Sequence, residues 1–325
     1  MLIAVLECIG GLILLIVGAE FIVSSGTRFA ARFNISPVVI GATIVAVGTS
    51  TPELAVGIDA VLSGSGDLAV GNIAGTNVVN ILLILGLSAL AAPLAIRTET
   101  LWLDLPMIAV ASLMLLYMAW DGVLTRSDGI ILVLCSVAYT AAIVHSARRE
   151  SRAIKMRIAE ELEVISNPSS EGYSWQRDLL VLMAGITVVV LGADWLVEGA
   201  IDLARHWGVS DEFIGLTIIA IGTSSPELVT TLISTLRKER DIAIANLLGS
   251  SAYNIFIILG LTLAVPGIPI KVAEMLVKVD IPVMTMVGLL CVPVLYSGRQ
   301  VSRWEGGSFV ALYAAYLSYL IATRA

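Results

Sequence analysis

GTSTPEL, residues 48–54, lies inside the apolar run GATIVAVGTSTPELAVGIDAVL (41–62). A membrane-spanning helix disfavours both Pro and Glu, and here they are adjacent. The pattern returns as GTSSPEL at 222–228, inside GLTIIAIGTSSPELVTTLIST (215–235). Two costly insertions at matching places point to a shared purpose.

The surroundings leave little doubt about the solvent. Of 325 residues, 58% are hydrophobic and 14% charged, with mean hydropathy +0.94. The apolar residues fall in runs long enough to cross a bilayer core of ~30 Å. Such a chain is an all-α polytopic membrane protein, which excludes a soluble enzyme or a nucleic-acid binder. The apolar runs predict ten spans: 2–25, 37–62, 68–91, 103–120, 127–146, 178–203, 211–236, 242–264, 275–296 and 305–322. The N-terminal run has no basic n-region and reads as the first span, not as a removed signal. Cys8, Cys135 and Cys291 sit in separate apolar runs and read as small buried hydrophobes.

Fourteen of the 19 Lys and Arg fall in the odd-numbered loops or beside them, among them Arg28, Arg32, Arg148, Arg149, Arg237 and Arg240. The positive-inside rule then predicts a cell-membrane protein with both termini outside and loop 147–176 in the cytoplasm. That loop begins basic and helix-like, turns acidic, and reads as a linker.

The chain repeats itself at an offset of 174 residues. Val17–Leu54 lies over Leu191–Leu228 without a gap, and 16 of the 38 positions are identical. GNIAGTNVVNILLILGL (71–87) falls on ANLLGSSAYNIFIILGL (245–261). The expected organisation is a five-helix half over 1–146 with its motif at 41–87, the linker 147–176, and a second half over 177–325 with its motif at 215–261. Five is odd, so the halves enter the membrane from opposite sides. This is the inverted-topology repeat of many secondary transporters.

Pro52 and Pro226 lack an N–H and crowd the carbonyls of Gly48 and Gly222, so each helix should kink or unwind there. Glu53 and Glu227 have no Lys or Arg near them within a span core, so a bound cation is the natural counter-charge. Asn72, Thr76 and Asn80 share a helix face, as do Asn246, Ser250 and Asn254, and Gly75 and Gly249 should allow close helix approach. Carboxylate, hydroxyl, amide and carbonyl oxygens without sulfur or imidazole select a hard cation, Na⁺ or Ca²⁺.

These motifs resemble the two α-repeats of the cation/Ca²⁺ exchanger superfamily, and most of all its compact prokaryotic sodium/calcium exchangers. The resemblance covers nearly the whole chain. It implies an antiporter with Ca²⁺ and Na⁺ bound in the membrane core and no cofactor. It implies Ca²⁺ held by Glu53 and Glu227 with the carbonyls of Thr49 and Thr223. It also implies one Na⁺ position from Ala46, Thr49, Ser50, Thr76 and Glu227, and a second from Ala220, Thr223, Ser224, Ser250 and Glu53. Asn80 and Asn254 would complete the middle. Three Na⁺ against one Ca²⁺, the stoichiometry the resemblance implies, would be electrogenic. Asn254 stands where K⁺-dependent members often carry Asp, which argues against K⁺ dependence. Paired Asn also occurs in proton/calcium exchangers, so H⁺ is the alternative counter-ion. Those relatives usually lose the hydroxyls that Ser50, Thr76, Ser224 and Ser250 retain here. A cation channel is a further alternative. No protein partner is called for beyond the ions and the lipid bilayer. Spans one and six contain no Pro and should run long and tilted, and the resemblance implies that they form a sliding pair. Glu20 and Asp194 occupy equivalent positions on them.

Overall fold

Ten helices dominate this computed structural model, which describes residues 1–33, 37–96, 101–161, 175–208, 220–265 and 269–324. The first half contains α1 (Leu2–Phe33), α2 (37–62, interrupted at Ser50), α3 (Gly66–Ala91), α4 (Asp104–Met118) and α5 (Arg126–Glu161). The second contains α6 (Trp175–His206), α7 (Ala220–Thr223, then Ser225–Leu236), α8 (Arg240–Ala264), α9 (Leu276–Gly298) and α10 (Arg303–Arg324). Eight are long and apolar enough to cross a membrane, and α4 is a shorter apolar helix. The expected span 211–236 is described only from Ala220, since 209–219 lie outside the described residues. Helix α5 continues to Glu161, well into the stretch expected as a linker, whose residues 162–174 also lie outside.

The two halves are matched contact by contact. Tyr139 on α5 donates to Asp104 at the start of α4 (2.8 Å), and Tyr316 on α10 donates to Asp280 on α9 (2.9 Å). Strand β1 (Leu94–Ala95), after α3, pairs antiparallel with β4 (Gln300–Val301), before α10. Strand β2 (Val123–Leu124), before α5, pairs with β3 (Ile270–Lys271), after α8. Each two-residue ribbon therefore joins opposite halves. The helices cross over in the same way: a Cβ at Gly86 would lie 2.9 Å from the Gly306 carbonyl, and one at Gly260 3.1 Å from that of Gly129.

Helices α1 and α6 are 32 residues each, about 48 Å at 1.5 Å per residue. That exceeds a ~30 Å core, so both must tilt. They run antiparallel with their backbones almost touching. Gly11 faces Gly192, and Gly18 faces Gly185. A Cβ at Gly11 would sit 2.6 Å from the Gly192 carbonyl, and one at Gly18 2.8 Å from that of Gly185. Each of these positions has its glycine equivalent in the other half at the 174-residue offset. The pair has a core of its own, built on Leu15, Ala19, Ile22, Leu182, Ile186 and Val189, with Ile40 and Val45 of α2. A larger core spans the rest of the bundle. Arg28 of α1 pairs with Asp178 of α6 at 3.1 Å. Glu20 of α1 receives both Nε and Nη2 of Arg237, at 3.1 and 2.6 Å. Asp194, its repeat equivalent, is exposed.

Helix propensity favours Ala over Gly by about 1 kcal/mol, whereas forced overpacking costs about 1–3 kcal/mol. Packing should win at Gly18, where a Cβ would meet Val189 Cγ2 at 2.6 Å and the backbone of Gly185 and Val189 at 2.8 Å. Gly18→Ala is expected to lower the melting temperature of the detergent-solubilised protein; a rise would show that the two helices can part freely.

Candidate cation site

The two Pro-Glu motifs meet at the centre of the bundle. Helix α2 is interrupted at Ser50 (φ −85°, ψ 11°) and α7 at Ser224 (φ −86°, ψ 4°), and Pro occupies the opening turn of the helix that follows. The expected kink is therefore a single-residue break. Proline is tolerated there because the first N–H groups of a helix have no intrahelical partner. Glu53 and Glu227 enter in the same first turns, and both are fully buried. Ser50, from the first half, donates to Oε1 of Glu227, from the second, at 3.1 Å.

The helices behind them contribute amides. In α3 a π-helical turn begins at Val79, next to Asn80; in α8 one begins at Asn254. Such turns insert a residue into the helix, turn a side chain off its regular stripe, and favour functional sites. A third, over Gly41–Val45, leads into Ala46. Sequence reasoning gave no sign of these turns. Asn80, Asn254 and Ser250 are fully buried, Thr76 and Ser224 almost so, and Thr223 half-buried. Ala220 opens the described part of α7.

One expected grouping differs. Ser250 was assigned with Ala220 and Thr76 with Ala46, but the Ser250 hydroxyl lies 3.3 Å from the Ala46 carbonyl. Thr49 Oγ is also 3.3 Å from that carbonyl. The reason is the crossing of α8 over the first half of α2, where a Cβ at Gly249 would lie 2.8 Å from Ala42 Cα. By the same crossing, Ala220–Thr223 packs on α3, which carries Thr76. Each flank of the site thus mixes the two halves. The close approach expected at Gly249 is present. The counterpart of Ala42 opposite Gly75 is Leu216, outside the described residues.

Five buried carboxylate and amide oxygens have no hydrogen-bond partner among the described residues: Oε1 and Oε2 of Glu53, Oε2 of Glu227, and the amide oxygens of Asn80 and Asn254. Nor does either glutamate form an ion pair with Lys or Arg among them. Burying an unpaired carboxylate costs several kcal/mol, and five such oxygens together are a donor set for a hard cation, which takes six to eight.

Asn77 was not singled out by sequence reasoning, and it orients this set. Its Nδ2 donates to the Ser251 carbonyl at 3.1 Å, so its Oδ1 must face the other way. There it accepts from Nδ2 of Asn254 at 3.2 Å. A carbonyl can only accept, so the chain fixes both amides and leaves Oδ1 of Asn254 turned from Asn77. The residue at the equivalent position is Ser251 itself, so the repeat gave no signal.

The family model described as sodium/calcium exchanger protein matches twice, over residues 3–144 and 178–322. A putative antiporter, CaxA of Alkalimonas amylolytica, is 34% identical over 322 residues, covering 99% of each chain. The sodium/calcium exchanger MaX1 of Methanosarcina acetivorans is 30% identical, covering 95% of this chain and 96% of its own. Among solved structures, the sodium-calcium exchanger NCX_Mj superposes with a TM-score of 0.82 at 28% identity, covering 98% of this chain and 99% of that one.

Removing the Asn77 amide would free Asn254 to turn its nitrogen inward. A hydrogen bond is worth about 1 kcal/mol, or roughly fivefold in affinity. Asn77→Ala is expected to weaken Ca²⁺ binding by about that factor in calorimetric titration. An unchanged affinity would mean that Asn254 is held by something else.

Proposed function

Because the chain belongs to the sodium/calcium exchanger family, we propose that it is a secondary active antiporter exchanging Na⁺ for Ca²⁺ across the membrane by alternating access. The observation that carries this reading is the set of five buried, unpartnered oxygens around two carboxylates that no Lys or Arg among the described residues neutralises. One Ca²⁺ balances Glu53 and Glu227 together. The carbonyls of Thr49 and Thr223 complete its shell. Na⁺ would instead sit on the flanks. One flank offers the Ala46 carbonyl, Thr49, Ser50, Ser250 and Glu227; the other offers the Ala220 carbonyl, Thr223, Ser224, Thr76 and Glu53. Na⁺ and Ca²⁺ then compete for the same two carboxylates. Coupled exchange follows, because the site cannot cross the membrane with its charges bare.

Access alternates by movement of α1 and α6, whose separate core and glycine contacts make them a unit. In the conformation described here, α1 packs along Ser225–Leu236, while α6 makes at most marginal contact with Thr51–Leu62. Thr51, Ala55 and Val56 are exposed, whereas their equivalents Ser225 and Thr230 are buried and Val229 half-buried. The Arg237 side of the site is therefore the more closely covered and the other side the less, with both glutamates themselves fully buried. With the termini outside and the Arg-rich loops in the cytoplasm of a cell-membrane protein, this is the outward-facing state.

Proteoliposomes loaded with Na⁺ should take up ⁴⁵Ca²⁺ when diluted into Na⁺-free medium, and Glu53→Gln or Glu227→Gln should abolish it. Uptake driven by a pH gradient without Na⁺ would replace Na⁺ by H⁺ as counter-ion, and flux independent of any counter-ion gradient would make the protein a channel. The same Ca²⁺ should also protect against thermal unfolding by about 2.7 kcal/mol at a hundredfold excess over Kd, and neither glutamine variant should show this protection.

A further inference from the structure

The two halves differ along the helix face that carries the glutamate. On α7 that face continues beyond Glu227 as Thr230, Thr231, Ser234 and Thr235, spaced three and four residues apart. All four are buried, at 0–2% exposure. The equivalent positions on α2 are Val56, Gly57, Ala60 and Val61, with no hydroxyl among them. Resting on the reading of Glu53 and Glu227 as the cation site, we propose that these four residues line an oxygen track by which cations pass between that site and the membrane face marked by Arg237.

The hydrogen bonding fits a cation better than a helix contact. Ser234 donates to the Thr230 carbonyl at 2.7 Å and Thr235 to that of Thr231 at 2.8 Å. Each hydroxyl proton is thereby turned back on its own helix, and oxygen lone pairs remain outward. Asn246, between this track and Thr49, lies 3.4 Å by its nitrogen from Thr231 Oγ and 3.5 Å by its oxygen from Thr49 Oγ. Thr230 Oγ is buried with no hydrogen-bond partner among the described residues. So is Ser88 Oγ, on the stretch of α3 that packs against this half of α7. Hydroxyls that merely join helices would use these atoms on each other. Valine, at the equivalent position 56, is the apolar isostere of threonine. A buried hydroxyl left without a partner is a net cost, and an ion stripped of part of its water is the ligand that would offset it.

In this conformation the track is shut. Helix α1 lies along it, and Glu20 of α1 clasps Arg237 at its end. Displacement of α1 would release the clasp and wet the hydroxyls together. On the other access route α2 has no side-chain oxygen at the matching positions, and Thr262, the counterpart of Ser88, donates to the Ile258 carbonyl at 2.8 Å, so an ion there must keep more of its water. The two faces of the transporter should then differ in apparent affinity for the same ion.

The test is Ca²⁺ uptake by the Thr230→Val/Ser234→Ala double variant in proteoliposomes of uniform orientation. With the track in place, KM at the Arg237 face should rise roughly fivefold or more while KM at the opposite face stays as in the wild type. Equilibrium Ca²⁺ affinity in detergent should be unchanged, and Thr230→Ser should behave as wild type. An equal rise at both faces, no rise at the Arg237 face, or a fall in equilibrium affinity would overturn the track. The single, isosteric Thr230→Val variant is read in the same way if the double variant does not fold. Glu53→Gln separates the two readings. If it binds Ca²⁺ like wild type, the cation site itself is misassigned, whatever the sidedness of the track variants.

Discussion

Two carboxylates at the centre of a membrane protein, without a basic partner among the described residues, set the terms for everything around them. Each alone would be prohibitively costly in hydrocarbon. Together they are tolerable only when something positively charged stands between them. The breaks at Ser50 and Ser224, the π turns beside Asn80 and Asn254, and the crossing of α8 over α2 all bring neutral oxygens to that point. The amide chain from Ser251 through Asn77 to Asn254 then decides which way one of those oxygens faces.

The two-fold relation between the halves explains how one motif serves twice. Tyr139–Asp104 and Tyr316–Asp280, the two short ribbons, and the facing glycines of α1 and α6 are the same contacts made from either half. Function then resides in the departures. Arg237 clasps Glu20, whereas Ser63 and Asp194 stand at the equivalent positions; the hydroxyl face of α7 has an apolar counterpart. A symmetric frame allows two states, and the unequal details set which is favoured and how each side handles ions.

Much of this was legible in the letters. Prolines 52 and 226 announced the breaks, the 174-residue offset announced the inverted halves, and Glu53 and Glu227 announced a buried pair of carboxylates. The π turns were not legible, because an inserted residue leaves no mark in an unbroken apolar run. The grouping of Ser250 with Ala46 was not legible either. It depends on which helix crosses which, and helical periodicity reports a face without naming the neighbour. Asn77 was passed over because it lies one residue off the Asn72, Thr76, Asn80 face, and its partner is a backbone carbonyl rather than a matching side chain. The extension of α5 to Glu161 was legible in part, since loop 147–176 begins basic and helix-like; charged residues mark the end of a membrane span and not the end of a helix.

The ribbons have a consequence for biogenesis. Strand β1 waits for β4, some two hundred residues later, and β2 waits for β3. Until the second half has been synthesised, the first five helices stand in the membrane with two open strand edges, an unmatched α1 and a lone buried glutamate. The order of synthesis thus makes β4, between α9 and α10, the piece that seals the first ribbon, so that folding of the first half waits on the second.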